Sequence, residues 1–134
     1  MVRVYGGLAC RATQRSLRWM GDRGVSHLFI DLSAGHLEKS VLRSWIDEFG
    51  WQALIDKRSA AWRHQPDNIK QALERESALA MLLHLPHMMK IPIIQAGPIS
   101  MIGWNAPNKI RLLGQKRPGH QTGETYNHAA VTAA

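Results

Sequence analysis

The chain has 134 residues, of which 45% are hydrophobic and 20% charged, and it carries a formal net charge of +7. This length predicts one globular domain, and without an apolar run of ~20 residues or a secretory signal pattern we expect a cytoplasmic protein with no membrane partner. The basic excess favours an anionic partner, but the basic residues are scattered and no nucleic-acid-binding module is recognisable, which argues against nucleic acid.

The first third of the chain predicts a βαβ unit. Residues 2–5 alternate as a short strand does, residues 11–23 have helical periodicity, and residues 27–32 form a second apolar run. Strand, helix and strand in so few residues indicate two parallel strands.

The middle of the chain predicts helices. Residues 37–49 carry an apolar helical stripe that ends at Gly50, and from 51 to 89 no strand alternation occurs. Further helices are predicted after Pro66 and over residues 77–85. We therefore expect an all-helical insertion over about 37–89.

The last apolar segments predict a hairpin and a closing helix. Residues 91–95 and 99–103 read as strands joined by a glycine-proline turn, and residues 106–113 as a helix. Residues 114–134 have almost nothing apolar to bury and are expected to be a disordered tail. Together these elements predict an α/β domain over 1–113, with helices packed on a mixed sheet.

The single cysteine, Cys10, stands where the first strand meets the first helix, so that no internal disulfide is available to it. The helix end and Arg11, with Arg15 and Arg18 behind it at helical spacing, favour the thiolate over the thiol. Thr13 could place a hydroxyl near the sulfur, at the position that the second cysteine of a C-x-x-C pair would occupy. A cysteine here can equally be a small buried hydrophobe, and Arg18 an ordinary surface charge paired with Asp22.

The sequence resembles the ArsC-like family, which comprises glutaredoxin-linked arsenate reductases, Spx regulators and the YffB-type group. The resemblance lies in four segments in the same order: YGGLACRAT, GWQALIDKRSAAWR, MMKIPII and SMIGWN. It runs from residue 2 to about 113 and is closest to the YffB-type group. It implies a thioredoxin-like fold.

The resemblance also implies a set of site residues. Cys10 falls on the nucleophilic thiol, and Arg58 on an arginine that holds an anion or stabilises the thiolate. Pro92 falls on a proline that usually follows a cis peptide bond and faces the cysteine. Trp104 is expected to line the substrate cleft. Metal ligation is not expected, because the histidine pair at 84 and 87 has no accompanying ligand set.

Two departures from the family pattern bear on the substrate. Ile91 stands where the family has an arginine before the proline, and the usual glycine after Arg58 is Ser59. Lys90 does not replace the missing arginine, because a lysine cannot pair two oxygens of an oxyanion as a guanidinium does.

We therefore predict a monothiol oxidoreductase that needs glutathione as co-substrate and no tightly bound cofactor. Its partners would be glutathione or a thiol-containing protein. The alternatives are a non-enzymatic, Spx-like adaptor for a protein of the transcription machinery, and weak arsenate reductase activity.

Overall fold

The computed structural model describes residues 1–115, so the predicted tail lies outside the described residues from position 116 onward. The described part of the chain forms four strands and seven α-helices: β1 (Val2–Gly6), α1 (Arg11–Asp22), β2 (His27–Asp31), α2 (Lys39–Phe49), α3 (Trp51–Leu54), α4 (Ala60–Arg63), α5 (Asp67–Ala72), α6 (Arg75–His84), β3 (Ile93–Ala96), β4 (Ile99–Ile102) and α7 (Ala106–Gln115). Short 3₁₀ turns lie at Leu32–Ala34 and Pro86–Met88. The chain divides into two compact units, Gly35–Lys90 and the segments on either side of it.

The first unit, Met1–Ala34 together with the chain from Ile91, contains a four-stranded sheet in the order β2-β1-β3-β4. β1 pairs with β2 in parallel, Val4 opposite Phe29, and with β3 in antiparallel fashion, Val4 opposite Ile94. β3 and β4 form the antiparallel hairpin. The predicted α/β class, with parallel first strands and a later hairpin, is therefore confirmed.

One face of this sheet carries the core of the first unit. Because side chains alternate along a strand, Val2 and Val4 of β1 point to the same side. Met20 of α1 and Leu112 of α7 belong to the same buried cluster, so both helices pack on that face. The other buried members of the cluster are Ile94, Ala96 and Met101.

The second unit, residues 35–90, is helical. α2 packs against α3 and α6, and the apolar stripe read in the sequence buries Leu42, Trp45 and Ile46 on that side. α2 ends where predicted, at Gly50, whose φ of 83° is in the left-handed region that favours glycine.

Several elements differ from the predicted ones in their bounds or in having been missed. α2 begins at Lys39 rather than at 37, and β3 begins at Ile93 rather than at 91, after a proline that has no N–H for the sheet. The four-residue helices α3 and α4 were not predicted, because four residues are too short to show periodicity. α7 continues through Gln115, so Gly114 and Gln115 are helical. None of the helices within residues 1–115 is long and apolar enough to cross a membrane.

Candidate functional site

Cys10 lies at the junction of β1 and α1, as predicted. It is the N-cap residue of α1, with φ −85° and ψ 120°, and its carbonyl accepts the backbone N–H of Gln14 at 3.0 Å. Its side chain makes no capping hydrogen bond and is partly exposed. The partly exposed thiol therefore belongs to the residue at the N-terminal end of α1, the end at which backbone N–H groups lack partners within the helix.

The loop that carries Cys10 is held by its own backbone and by one side chain. The N–H of Cys10 donates to the carbonyl of Gly7 at 3.0 Å, and the side-chain amide of Gln14 donates to the carbonyl of Leu8. Leu8 itself is 49% exposed. Sequence reasoning missed the role of Gln14, because nothing in a glutamine one turn after the cysteine distinguishes it from an ordinary surface residue.

Thr13 is fully buried below this loop. Its hydroxyl oxygen accepts the N–H of Gly7 at 3.4 Å, and its backbone carbonyl accepts the buried hydroxyl of Ser16 at 2.7 Å. Thr13 therefore joins α1 to the loop, and its predicted action on the sulfur stays a prediction.

Ile91 and Pro92 lie in the same unit as Cys10. The peptide bond between them is cis, as the family resemblance implied. The Cδ1 atom of Ile91 is 3.7 Å from the position that a Cβ on Gly7 would take, so this apolar side chain lies against the glycine loop. The carbonyl of Pro92 accepts the N–H of Gly103 at 2.7 Å.

Trp104 is half-buried at the end of the hairpin. Its ring packs edge-on against Trp19 with centroids 5.3 Å apart, and Lys109 Nζ lies 5.5 Å from the Trp104 centroid. The buried amide of Asn108 donates to the carbonyls of Ile102 and Gly103, both at 2.9 Å. These contacts fix the backbone on which Trp104 sits, and its place in a substrate cleft stays a prediction.

Arg11, Arg15 and Arg18 are all exposed on α1. None of the three forms an ion pair with a residue in the described range 1–115. The pair between Arg18 and Asp22, considered from their spacing, is therefore not formed.

Arg58 belongs to the second unit. Its side chain is 96% exposed, with Nε 3.9 Å from Oδ1 of Asp56, and that carboxylate accepts the Arg58 backbone N–H at 3.0 Å. Ser59, at the family's glycine position, is the N-cap of α4 and accepts the N–H of Trp62 at 3.2 Å. The role of Arg58 towards an anion stays a prediction.

A metal centre finds no support among residues 1–115, where no group of three or more His, Cys, Asp or Glu side chains could hold an ion. His84 ends α6 and His87 lies in the following 3₁₀ turn.

Comparison with known proteins gives a consistent result. The family model described as "ArsC family" matches residues 5–111. An uncharacterized protein of Haemophilus influenzae is 32% identical over 105 residues, which cover 78% of this chain and 92% of that protein.

Two solved structures show the same fold. The YFFB (PA3664) protein superposes with a TM-score of 0.78 at 25% identity, covering 84% of this chain and 99% of its own. An arsenate reductase (ArsC) related protein from Brucella melitensis superposes with a TM-score of 0.67 at 21% identity, covering 84% and 93%.

These neighbours confirm the thioredoxin-like fold predicted from the sequence. The family suggests a thiol-based redox or arsenate-reductase-like function. Because the family model matches well over half of the residues of this chain, the chain belongs to the ArsC family.

Proposed function

We propose that the chain is a monothiol oxidoreductase that uses Cys10 as its nucleophile and glutathione as its co-substrate. One observation carries the proposal: the single cysteine caps α1 with a partly exposed side chain that is not used in capping. Such a sulfur is free to attack a disulfide reagent.

The reaction is a pair of thiol–disulfide exchanges. In the first, the Cys10 thiolate attacks the glutathione sulfur of a mixed disulfide. A Cys10–glutathione disulfide forms, the substrate disulfide breaks, and the released thiolate takes a proton from water. In the second, the thiolate of another glutathione attacks that disulfide, so that oxidised glutathione leaves and the Cys10 thiolate is restored. The net change is that the mixed disulfide and one reduced glutathione become the substrate thiol and oxidised glutathione.

Ile91 favours a disulfide over arsenate as the substrate. A guanidinium holds an oxyanion through paired hydrogen bonds, but the side chain against the Gly7 loop is that of Ile91, which is apolar. A disulfide is uncharged at the reacting sulfur atoms and does not need that cation. Because exchange with glutathione requires a reducing compartment, we place the protein in the cytoplasm.

The deciding experiment is mass spectrometry of the protein after incubation with oxidised glutathione. We expect one glutathionyl group on wild type, removed by reduced glutathione, and none on Cys10→Ser, which has no thiol at all. A wild-type protein that stays unmodified would exclude Cys10 as a nucleophile towards disulfides.

A coupled turnover assay separates the proposal from its alternatives. Wild type is expected to reduce a glutathione mixed disulfide at a rate that depends on glutathione and to leave arsenate unreduced. Arg58→Ala is expected to raise the glutathione concentration needed for half-maximal rate, because the family resemblance gives this arginine the role of holding an anion. It should not lower stability, since the side chain is 96% exposed. Turnover with arsenate alone would support the reductase, and a specific protein complex retained by Cys10→Ser without any exchange would support the adaptor.

A further inference from the structure

The positive charge of the chain is concentrated in the unit that carries Cys10. Within residues 1–34 and 91–115 there are seven lysines and arginines against two aspartates, an excess of five. Residues 35–90 hold eight basic against seven acidic side chains. Most of the net charge of +7 therefore belongs to the sheet-containing unit.

Two arginines of the helical unit are paired with carboxylates, whereas the arginines of α1 are not, within residues 1–115. In residues 35–90, Arg43 pairs with Glu76 at 2.9 Å, and Arg75 pairs with Glu76 at 3.0 Å and with Asp47. In α1, by contrast, Arg11, Arg15 and Arg18 have no acidic partner among the described residues. The charges of α1 are thus available to a ligand.

These three arginines, which we call the arginine face, lie on one side of α1. Their spacing of four and then three residues places them one above another, over about 10 Å of helix. The arrangement does not stabilise the helix, because the like charges repel one another and Arg11 opposes the positive end of the helix dipole. An external acidic group would relieve both effects.

We propose that the arginine face docks an acidic segment of a protein substrate, so that Cys10 acts on protein cysteines that have acidic residues next to them. The face begins at Arg11, the residue after Cys10, so an acidic segment lying along α1 keeps its neighbouring cysteine close to the thiol. This inference rests on the proposed function and names its substrate class. The exchange step is the one given above, with a cysteine of the acidic protein, held as a glutathione mixed disulfide, as the substrate.

Other anionic ligands fit this surface less well. A single oxyanion is too small to reach all three guanidinium groups along 10 Å of helix. Single-stranded nucleic acid binds through open aromatic faces, but the Trp19 ring is covered by Arg23 at 4.5 Å and Lys109 lies over Trp104. A membrane surface would require apolar side chains beside the charges, and the exposed positions of α1 are polar.

The test compares three synthetic peptides, each with one cysteine held as a glutathione mixed disulfide. Beside the cysteine, the first carries a run of glutamates, the second glutamines and the third lysines. Wild type is expected to reduce the glutamate peptide roughly tenfold faster than the glutamine peptide, as a few exposed ion pairs allow. The ratio should approach one in roughly 1 M salt, where charges are screened within about 3 Å.

A charge-reversed variant and a matched control locate the effect. In Arg15→Glu/Arg18→Glu the preference should shift to the lysine peptide. Lys39→Glu/Arg63→Glu changes the net charge equally, on two exposed side chains of the other unit, and should keep the wild-type ratio. Equal rates with glutamate and glutamine peptides in wild type, or the same loss of preference in the control, would overturn the proposal.

Fluorescence anisotropy with cysteine-free versions of the peptides measures docking without thiol chemistry. Salt-sensitive binding of the glutamate peptide without any exchange would support the docking surface and refute the proposed function. Exchange without that binding would refute the docking surface alone. Tighter binding of a single-stranded oligonucleotide than of the glutamate peptide would also refute it.

Discussion

Gly6 and Thr13 are in such close contact that a side chain on the glycine would collide with the threonine. A Cβ on Gly6 would overlap Oγ1 of Thr13 and lie 2.9 Å from its Cγ2. The end of β1 and the first turn of α1 are therefore fitted to each other through this pair, directly before the loop that carries Cys10.

Gly6→Ala is expected to cost about 1–3 kcal/mol of unfolding free energy, because the added methyl overpacks a buried contact. Thr13→Ala removes the colliding atoms, so the double variant should be less destabilised than the sum of the two single changes. Urea denaturation of all four proteins measures the coupling. Gly21→Ala, where a Cβ meets nothing within 4 Å, is the control and should be stabilising. Additive effects at positions 6 and 13 would contradict the fit.

Arg11→Glu is expected to make the protein more stable and to slow its exchange with glutathione. The exchange slows because a negative charge next to Cys10 repels anionic glutathione. A carboxylate in the first turn interacts favourably with the helix dipole and with Arg15 four residues later, which together should add about 0.5–1 kcal/mol. Arg11→Gln should give an intermediate gain, since it only removes the unfavourable charge. Urea unfolding and glutathione exchange are measured on the same samples. A loss of stability in both variants would show that Arg11 has a structural partner.

Asn105→Ala is expected to destabilise the protein by about 1 kcal/mol through loss of a helix cap. The side-chain oxygen of Asn105 accepts the N–H of Asn108 at 2.9 Å, directly before α7 begins. Asn105→Asp retains the acceptor and should keep most of the stability. Thermal unfolding compares them with Asn68→Ala, an exposed asparagine of α5. Equal melting temperatures for Asn105→Ala and wild type would exclude the cap.

Asp47→Asn is expected to lower the urea midpoint slightly at low salt and not at high salt, because it breaks an exposed ion pair. Glu48→Gln removes the neighbouring charge as a control. The hydrogen bond from Arg75 to Asp47, with the charge of Asp47, raises the pKa of Arg75 above its ordinary value. A group whose pKa is raised by folding stabilises the folded state at every pH below its pKa in the unfolded chain. This stabilisation is lost only as the pH rises through its pKa in the folded protein. The Arg75 contribution should therefore be constant around neutral pH, and a midpoint difference that varies there would point to another group.

Sequence patterns predicted those parts of the fold that are encoded locally. The alternation in β1, the apolar stripe of α2 and the turn at Gly97 each have a cause within a few residues. α6 begins at Arg75 rather than at 77, because Glu74 and Ser77 form a capping box that was not recognised. The antiparallel bridge between Ile55 and Met89 joins positions far apart in the chain, and no local pattern indicates it.

The candidate site was likewise predicted only where a local pattern or the family resemblance indicated it. Cys10 at the helix start followed from local periodicity, and the cis bond before Pro92 from family resemblance. The missing pair between Arg18 and Asp22 could not be foreseen, because spacing allows an ion pair without requiring it. The contact of Ile91 with the Gly7 loop depends on two segments more than eighty positions apart, which only the folded chain brings together.

The position of β1 in the middle of the sheet has a consequence for synthesis on the ribosome. One edge of β1 finds β2 soon after it is made, but the other waits for β3, which begins at Ile93. Until then the nascent chain presents an open strand edge, the feature by which polypeptides aggregate. A truncated chain that stops before residue 91 should accordingly accumulate in inclusion bodies rather than in the supernatant.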